Sequence, residues 1–532
     1  MMGNKKLQVW LPLIFSLVMI AGMILGYKLG SQGGGKSKFF SSNKRSSLQE
    51  ALDLIRLKYV DSVRIDSLEG KAIQEMMNEL DPHSVYLPPV DLKEANEDLA
   101  GNFQGIGVEF NIFSDTVNVV YVIPGGPSDK AGLLIGDKIL KVNDSSIAGR
   151  KLQVDDIKKY IRGPRGSKAN LQIIRSGTAK TISVTRGTIP VSSVDATYML
   201  DKTTGYIKLN RFTENSYEEF MEALENLKKQ GLKGLVFDLR GNGGGFMNEA
   251  VDIADEFLDG DKLIVYTQGV NSKKIEYRCK RPGQFETGKL VLLVDELSAS
   301  ASEVIAGCLQ DWCRATIIGR RTFGKGLVQQ QYDLSDGAAI RLTVARYYTP
   351  LGRSIQRSYE KGKKVYMDDL WERFNSGEMV SYDSIKSHNG GKKFLTSCKD
   401  TLYAGDGITP TVFIPLDTTL YHRELNGLLT GNSMNNYVYN YYLQHKQQID
   451  QYKSSAEYTK GFTAVTEMWD GWLKAATADS VNLSAINGRK KEMLQLRLKA
   501  LLARFKWRNT GFYQVLNTDD MAIRKAMETI SK

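Results

Sequence analysis

Between about Val191 and Pro415 the chain alternates short apolar runs with stretches of helical periodicity, and no other feature restricts its fold as much. The spacing predicts strands at Gly205–Asn210, Leu232–Leu239 and Leu290–Val294. It predicts helices over Tyr217–Lys229, Asn248–Leu258 and Ala301–Gln310. Strands and helices in that order give a layered α/β domain, whose chemistry collects at strand ends. A polar stretch, residues 357–405, interrupts the alternation and reads as a surface insertion within a core spanning 188–415.

A chain of 532 residues is too long for one hydrophobic core, so further domains are expected around this one. Residues 101–187 carry β-type runs at Val117–Ile123, Lys138–Val142, Asn170–Ile174 and Thr181–Thr185. Gly/Pro turns separate them, and a short helix at Val154–Ile161 interrupts. Residues 47–100 are helical in period and break at Leu80-Asp81-Pro82, because proline disfavours helix in the residue before it. Residues 29–46, rich in Gly, Ser and Lys, read as a tether. Lys5 and Lys6 precede the apolar stretch Leu7–Tyr27, so residues 1–28 are expected to form an uncleaved transmembrane helix. The positive charges Lys28, Lys36, Lys38, Lys44 and Arg45 that follow would, by the positive-inside rule alone, keep the body in the cytoplasm. Residues 416–532 read as a helical extension. Its Leu494, Leu498, Leu501, Leu502 and Phe505 share one helical face, suited to packing on the chain's own core or to self-association or adaptor docking. The expected class is therefore multidomain α+β.

The net charge of +11 invites a nucleic-acid reading, but the basic residues are scattered and join no reading helix. The four cysteines, Cys279, Cys308, Cys313 and Cys398, match no zinc or redox spacing; they are compatible with thiols or with disulfides. The four histidines form no HExxH pair, so no metal is expected.

The segment Ser298-Ala-Ser-Ala-Ser-Glu303 follows the strand Leu290–Val294 and opens a helix. A serine there meets the positive helix end and its free N–H groups, which suit a developing oxyanion; Ser298 or Ser300 could equally be an N-cap. A nucleophilic serine needs a base, yet no histidine lies between His83 and His388. Lysine can serve when burial keeps it neutral. Gly324-Lys325-Gly326 heads an apolar run, although such a tripeptide is commonly a surface turn. Gln329, four residues on, would share a strand face with Lys325 and could orient its amine. The loop Asp238-Leu-Arg-Gly-Asn-Gly-Gly-Gly245 can present backbone amides to an anion. It has no Walker lysine, so no nucleotide cofactor is expected.

Together these segments resemble the C-terminal processing peptidases, the tail-specific serine proteases of the S41 type. DLRGNGGG at 238–245, SASASE at 298–303 and GKGLVQ at 324–329 stand in the family's order. LDPHSVYL at 80–87, YYTPLGRSIQ at 347–356 and GITPTVFIP at 407–415 accompany them. The resemblance implies a crotonase/ClpP-like α/β core with Ser300 as nucleophile, Lys325 as base and Gln329 as its partner. It implies an oxyanion hole from the amides of Ala301 and Gly244. The 101–187 module resembles a PDZ domain whose loop Gly105-Ile106-Gly107 would hold a substrate's C-terminal carboxylate, the tail adding as a strand. Arg162 is a candidate for coupling that module to the core. The family acts outside the cytoplasm, so the resemblance overrides the charge count and implies a single-pass inner-membrane protein with a periplasmic catalytic body. The rival readings are a non-catalytic membrane-anchored PDZ adaptor and a crotonase-like acyl-CoA enzyme.

Overall fold

The computed structural model describes residues 15–24, 46–382, 392–420, 433–476 and 486–532. They fall into two compact units, one up to Ile73 and one from Gln74 onward.

In the first unit, Ser46 caps the helix Ser47–Lys58 by accepting the Gln49 N–H on its hydroxyl at 3.3 Å. The membrane-spanning helix expected over residues 1–28 is not supported. Among the described residues no helix is long and apolar enough to cross a membrane. Of the expected span only residues 15–24 are described. That helix covers about 15 Å at 1.5 Å per residue, half of a ~30 Å hydrocarbon core. The rest of the span lies outside the described residues.

In the second unit the PDZ-like module is an antiparallel sheet. Its strand order is Val108–Phe113, Thr116–Val122, Lys138–Val142, Lys168–Arg175, Thr178–Thr185. Lys168–Arg175 alternates buried Ala169, Leu171 and Ile173 with exposed neighbours, the period of a half-buried strand. The helix Val154–Ile161 closes this core with Ile157 and Ile161. Among the described residues Val108–Phe113 is an edge strand, paired only with Thr116–Val122.

The catalytic-type core holds a six-stranded sheet ordered Val194–Met199, Thr204–Leu209, Gly234–Asp238, Lys289–Val294, Thr316–Gly319, Val412–Phe413. All neighbours after the first pair are parallel. Gly234–Asp238 is buried at every position, as expected of a central parallel strand covered on both faces. The helices Ser216–Lys229, Met247–Asp255 and Ala301–Asp311 cover one face. Ala522, Ile523 and Ala526 of the last helix, Met521–Ser531, cover the other, against Val236, Val291, Leu293 and Ile318. A second sheet brings Val85–Leu87 and Leu327–Asp333 onto the long strand Ala339–Tyr348.

The polar stretch 357–405 is not simply a surface insertion. Its helix Lys363–Asn375 buries Tyr366 and Arg373. Arg357, also buried, lies over the rings of Phe323 (4.1 Å) and Tyr366 (3.9 Å). Within the extension, the helices between Ser433 and Leu516 form a module centred on Trp472, Tyr458, Leu494 and Leu498, whereas the last helix packs on the core. The apolar face that could have served self-association is thereby largely covered, with Leu494, Leu498 and Leu502 buried.

Candidate active site

The strand Lys289–Val294 runs into a turn and then the helix Ala301–Asp311, with Ser300 at the junction. Ser300 has φ 56° and ψ −114°. For a residue with a Cβ this is a strained backbone, costing of order 1–3 kcal/mol, and it persists only where the surroundings enforce it. The surroundings are the glycine loop. Ser298 Oγ donates to the Leu239 carbonyl (2.8 Å) and Ser302 Oγ to the Asn242 carbonyl (2.8 Å). Both of these serines are fully buried. Two of the three serines in the motif are thus spent on holding the turn against the loop. The third, Ser300, opens onto a cavity of about 590 Å³.

Lys325, Gln329, Ala301, Gly243, Gly245, Tyr347 and Arg341 line the same cavity. Lys325 lies just before the strand Leu327–Asp333. Burial pushes its amine below the usual lysine range. The Glu303 and Asp81 carboxylates oppose that shift, and Arg341 adds to it. Ala301, in the first turn of its helix, has no intrahelical acceptor for its N–H.

Two expectations need correction. The Gly244 N–H donates to Asn242 Oδ1 at 2.9 Å, so it is already committed, and the loop residues facing the cavity are Gly243 and Gly245. What Gly244 supplies is room. At φ +100° a Cβ there would stand 2.8 Å from Ser300 Cβ and 3.0 Å from the Ala301 nitrogen. The even-spacing argument for Gln329 also fails. A bulge between Val328 and Gln329 resets the register, and Gln329 Nε2 donates to Thr343 Oγ1 at 3.3 Å. Gln329 nevertheless lines the same cavity as Lys325.

Two residues of the site escaped the sequence reading. Glu303, fully buried, accepts from Ser300 N (2.9 Å), Lys325 N (2.9 Å), Gly324 N (2.7 Å) and Thr322 Oγ1 (2.5 Å). One carboxylate thus fixes the main chain of both Ser300 and Lys325. Burial pushes its pKa up, and these hydrogen bonds pull against that rise. The signal was present: Ser300-x-x-Glu303 is the capping-box spacing. Tyr347, also buried, has its hydroxyl 3.0 Å from the Ser300 carbonyl and 2.8 Å from the Lys325 carbonyl, a second bridge between the two. His83 is brought near by the fold, but its Nε2 meets the Tyr366 hydroxyl at 2.9 Å. Burial and then Lys325 lower its pKa to about 3, so it stays neutral.

Arg162 links the PDZ-like module to the core side. Its guanidinium pairs with Glu97 at 3.2 Å and lies 4.6 Å over the Phe103 ring. Glu97 sits on the helix Pro89–Ala100, which contributes Asn96, Leu99 and Ala100 to the cavity wall. Gly107 has φ 77° and a carbonyl bonded to Ile123 N (3.1 Å), while Ile106 is buried.

Comparison with known proteins agrees with this picture. Residues 203–362 match the family described as Peptidase family S41, and residues 119–175 match the PDZ domain. Residues 424–508 match a family of unknown function. The carboxy-terminal processing protease CtpA of Bacillus subtilis is 32% identical over 66% of this chain and 76% of its own length. The chain belongs to peptidase family S41. The carboxyl-terminal-processing protease of Synechocystis is 35% identical over 67% of this chain and 87% of its own. The solved photosystem II D1 C-terminal processing protease is 28% identical over 69% of this chain and 86% of its own, with a TM-score of 0.37. This S41 peptidase is a serine-type enzyme of the C-terminal processing class carrying a PDZ domain.

Proposed function

We propose that this S41 peptidase cleaves protein tails with a Ser300–Lys325 dyad, captures them through its PDZ domain, and acts outside the cytoplasm. One observation carries the dyad: of the three motif serines only Ser300 opens onto the cavity, and that cavity also holds a lysine whose pKa burial lowers.

The neutral Lys325 amine takes the Ser300 Oγ proton as Oγ attacks the scissile carbonyl carbon. The oxyanion so formed is held by the Ala301 N–H and by the amide of Gly243 or Gly245. The C–N bond then breaks, and the Lys325 ammonium gives its proton to the departing amine. Water, deprotonated by the same amine, hydrolyses the acyl-enzyme. Gln329, facing the cavity beside Lys325, positions the amine or the substrate chain. The substrate's terminal carboxylate sits against Gly105-Ile106-Gly107, and Arg162 passes occupancy to the core through Glu97. Tails with small or apolar ends suit such a groove.

Placement outside the cytoplasm is supported by the disulfide Cys313–Cys398, since such bonds persist in oxidising compartments. The experiment is digestion of a tailed substrate by Ser300→Ala and Lys325→Ala proteins. Each is expected to lose turnover by at least about 10³-fold with its thermal unfolding little changed. Turnover retained by either variant would refute the dyad.

A further inference from the structure

The free edge of Val108–Phe113 and the helix Val154–Ile161 form two walls of a cavity of about 420 Å³, where a tail would add as a strand. The third wall is not part of the PDZ domain. It comes from the helices Ser433–Asp450 and Gly488–Leu516 of the C-terminal module, through Val438, Leu501, Arg504, Phe505 and Arg508.

The two arginines are placed deliberately. The helix Gly488–Leu516 breaks at Trp507–Arg508, and Arg508 takes φ 54° and ψ −150°, a conformation that β-carbon residues adopt at a cost. The break lays the Arg508 guanidinium 3.5 Å over the Tyr121 ring and against Glu109 of the edge strand. Arg504, one turn earlier, puts Nη2 3.5 Å from the other oxygen of Glu109. Two cations thus share one carboxylate, with side chains 44% (Arg504), 32% (Arg508) and 40% (Glu109) exposed. Among the described residues the other cation lining this cavity is Lys158, which has its own partner in Asp155 at 2.9 Å. The groove is left with positive charge in excess beside its edge strand, where a tail's side chains would lie.

We propose that the C-terminal module completes the tail-binding site, and that Arg504 and Arg508 select tails with an acidic side chain within about three residues of the terminal carboxylate. This rests on the tail-capture reading above. Glu109 sits one residue beyond the first position of the edge strand. A tail residue opposite or diagonal to it therefore lies within a few residues of the terminus. Its carboxylate takes the place beside the arginines that Glu109 holds here.

The test measures fluorescence anisotropy on the full chain carrying Ser300→Ala, so that bound peptide is not cleaved. Two labelled peptides of about ten residues are compared, alike except for Glu or Gln at the third position from a free C-terminus. The Glu peptide is expected to bind about tenfold more tightly, with the difference shrinking as salt rises from about 50 to 500 mM. Arg504→Gln with Arg508→Gln is expected to erase the difference. Glu109→Gln, which keeps both arginines and frees them, is expected to widen it. Equal affinities in the unsubstituted groove, or a difference that survives the double arginine substitution, overturns the proposal. Should the arginine variants not fold, an unchanged difference in Glu109→Gln overturns it by itself. If neither peptide binds, or amidating the C-terminus has no effect, tail capture itself fails and this selection falls with it.

Discussion

A lysine accepts a proton only as the free amine, so on the proposed mechanism the protonation of Lys325 sets the working pH. Burial lowers its pKa, and the ammonium is the inactive form. The value of kcat/KM is therefore expected to rise about tenfold per pH unit and then level off below the usual lysine range. His83, neutral with a pKa near 3, adds no ionisation around neutrality. Initial rates from about pH 5 to about pH 10 check this, and a profile that is flat or falls as pH rises would contradict it. At this scale much of the site was legible. Strand, serine motif, helix and lysine stand in order along the chain, and the missing histidine pointed to an amine base. The commitment of the Gly244 amide to Asn242 was not legible, because which of three adjacent glycines faces inward depends on φ values that glycine leaves open. Tyr347 was not legible either: its task is to hold two carbonyls that are neighbours only after folding.

At the scale of elements, period alone marked strands such as Gly234–Asp238, Lys168–Arg175 and Lys289–Val294, but not the edge strand Val108–Phe113 or the core strands Leu263–Gln268 and Thr316–Gly319. Buried parallel strands are short apolar runs, and the half-buried ones alternate. The insertion could not be read this way. Arg357, Tyr366 and Arg373 look like surface residues until stacking and ion pairing bury them. Nor did cysteine spacing reveal that Cys313, just past the helix opened by Ser300, bonds to Cys398, 85 residues on. That bond ties the end of the helix Ala301–Asp311 to the turn between the strands Lys393–Leu395 and Thr401–Tyr403. A crosslink of this span stabilises by about 2–4 kcal/mol, chiefly by restricting the unfolded chain. Cys398→Ser is expected to lower the unfolding temperature by roughly 5–15 °C. Cys313→Ser should give the same loss, and the double variant no more; scanning calorimetry of the three proteins decides the point. Additive losses would show that the thiols act separately.

For the molecule as a whole, the last helix is part of the catalytic architecture. Asp520 caps it by accepting from Ala522 N (2.7 Å), and the same side chain pairs with Arg240 of the glycine loop at 2.7 Å. Arg240 in turn holds the buried Asp238 at 2.7 Å. Truncation after Asp520 would bare Val236, Val291, Leu293 and Ile318. At about 1.5–3 kcal/mol per large apolar side chain, the loss is on the order of 5 kcal/mol or more. The truncated protein is expected to aggregate or to unfold at much lower temperature, and to be inactive. An unchanged melting curve with activity retained would count against this role.

The placement of that helix has a consequence in time. A chain synthesised from its N-terminus lays down the strands bearing Asp238 and Val294 long before residue 521 exists. Until then the central sheet has one apolar face uncovered and the glycine loop lacks its outer ion pair. The core is therefore completed only once residues 521–531 have been made, well after both of those strands.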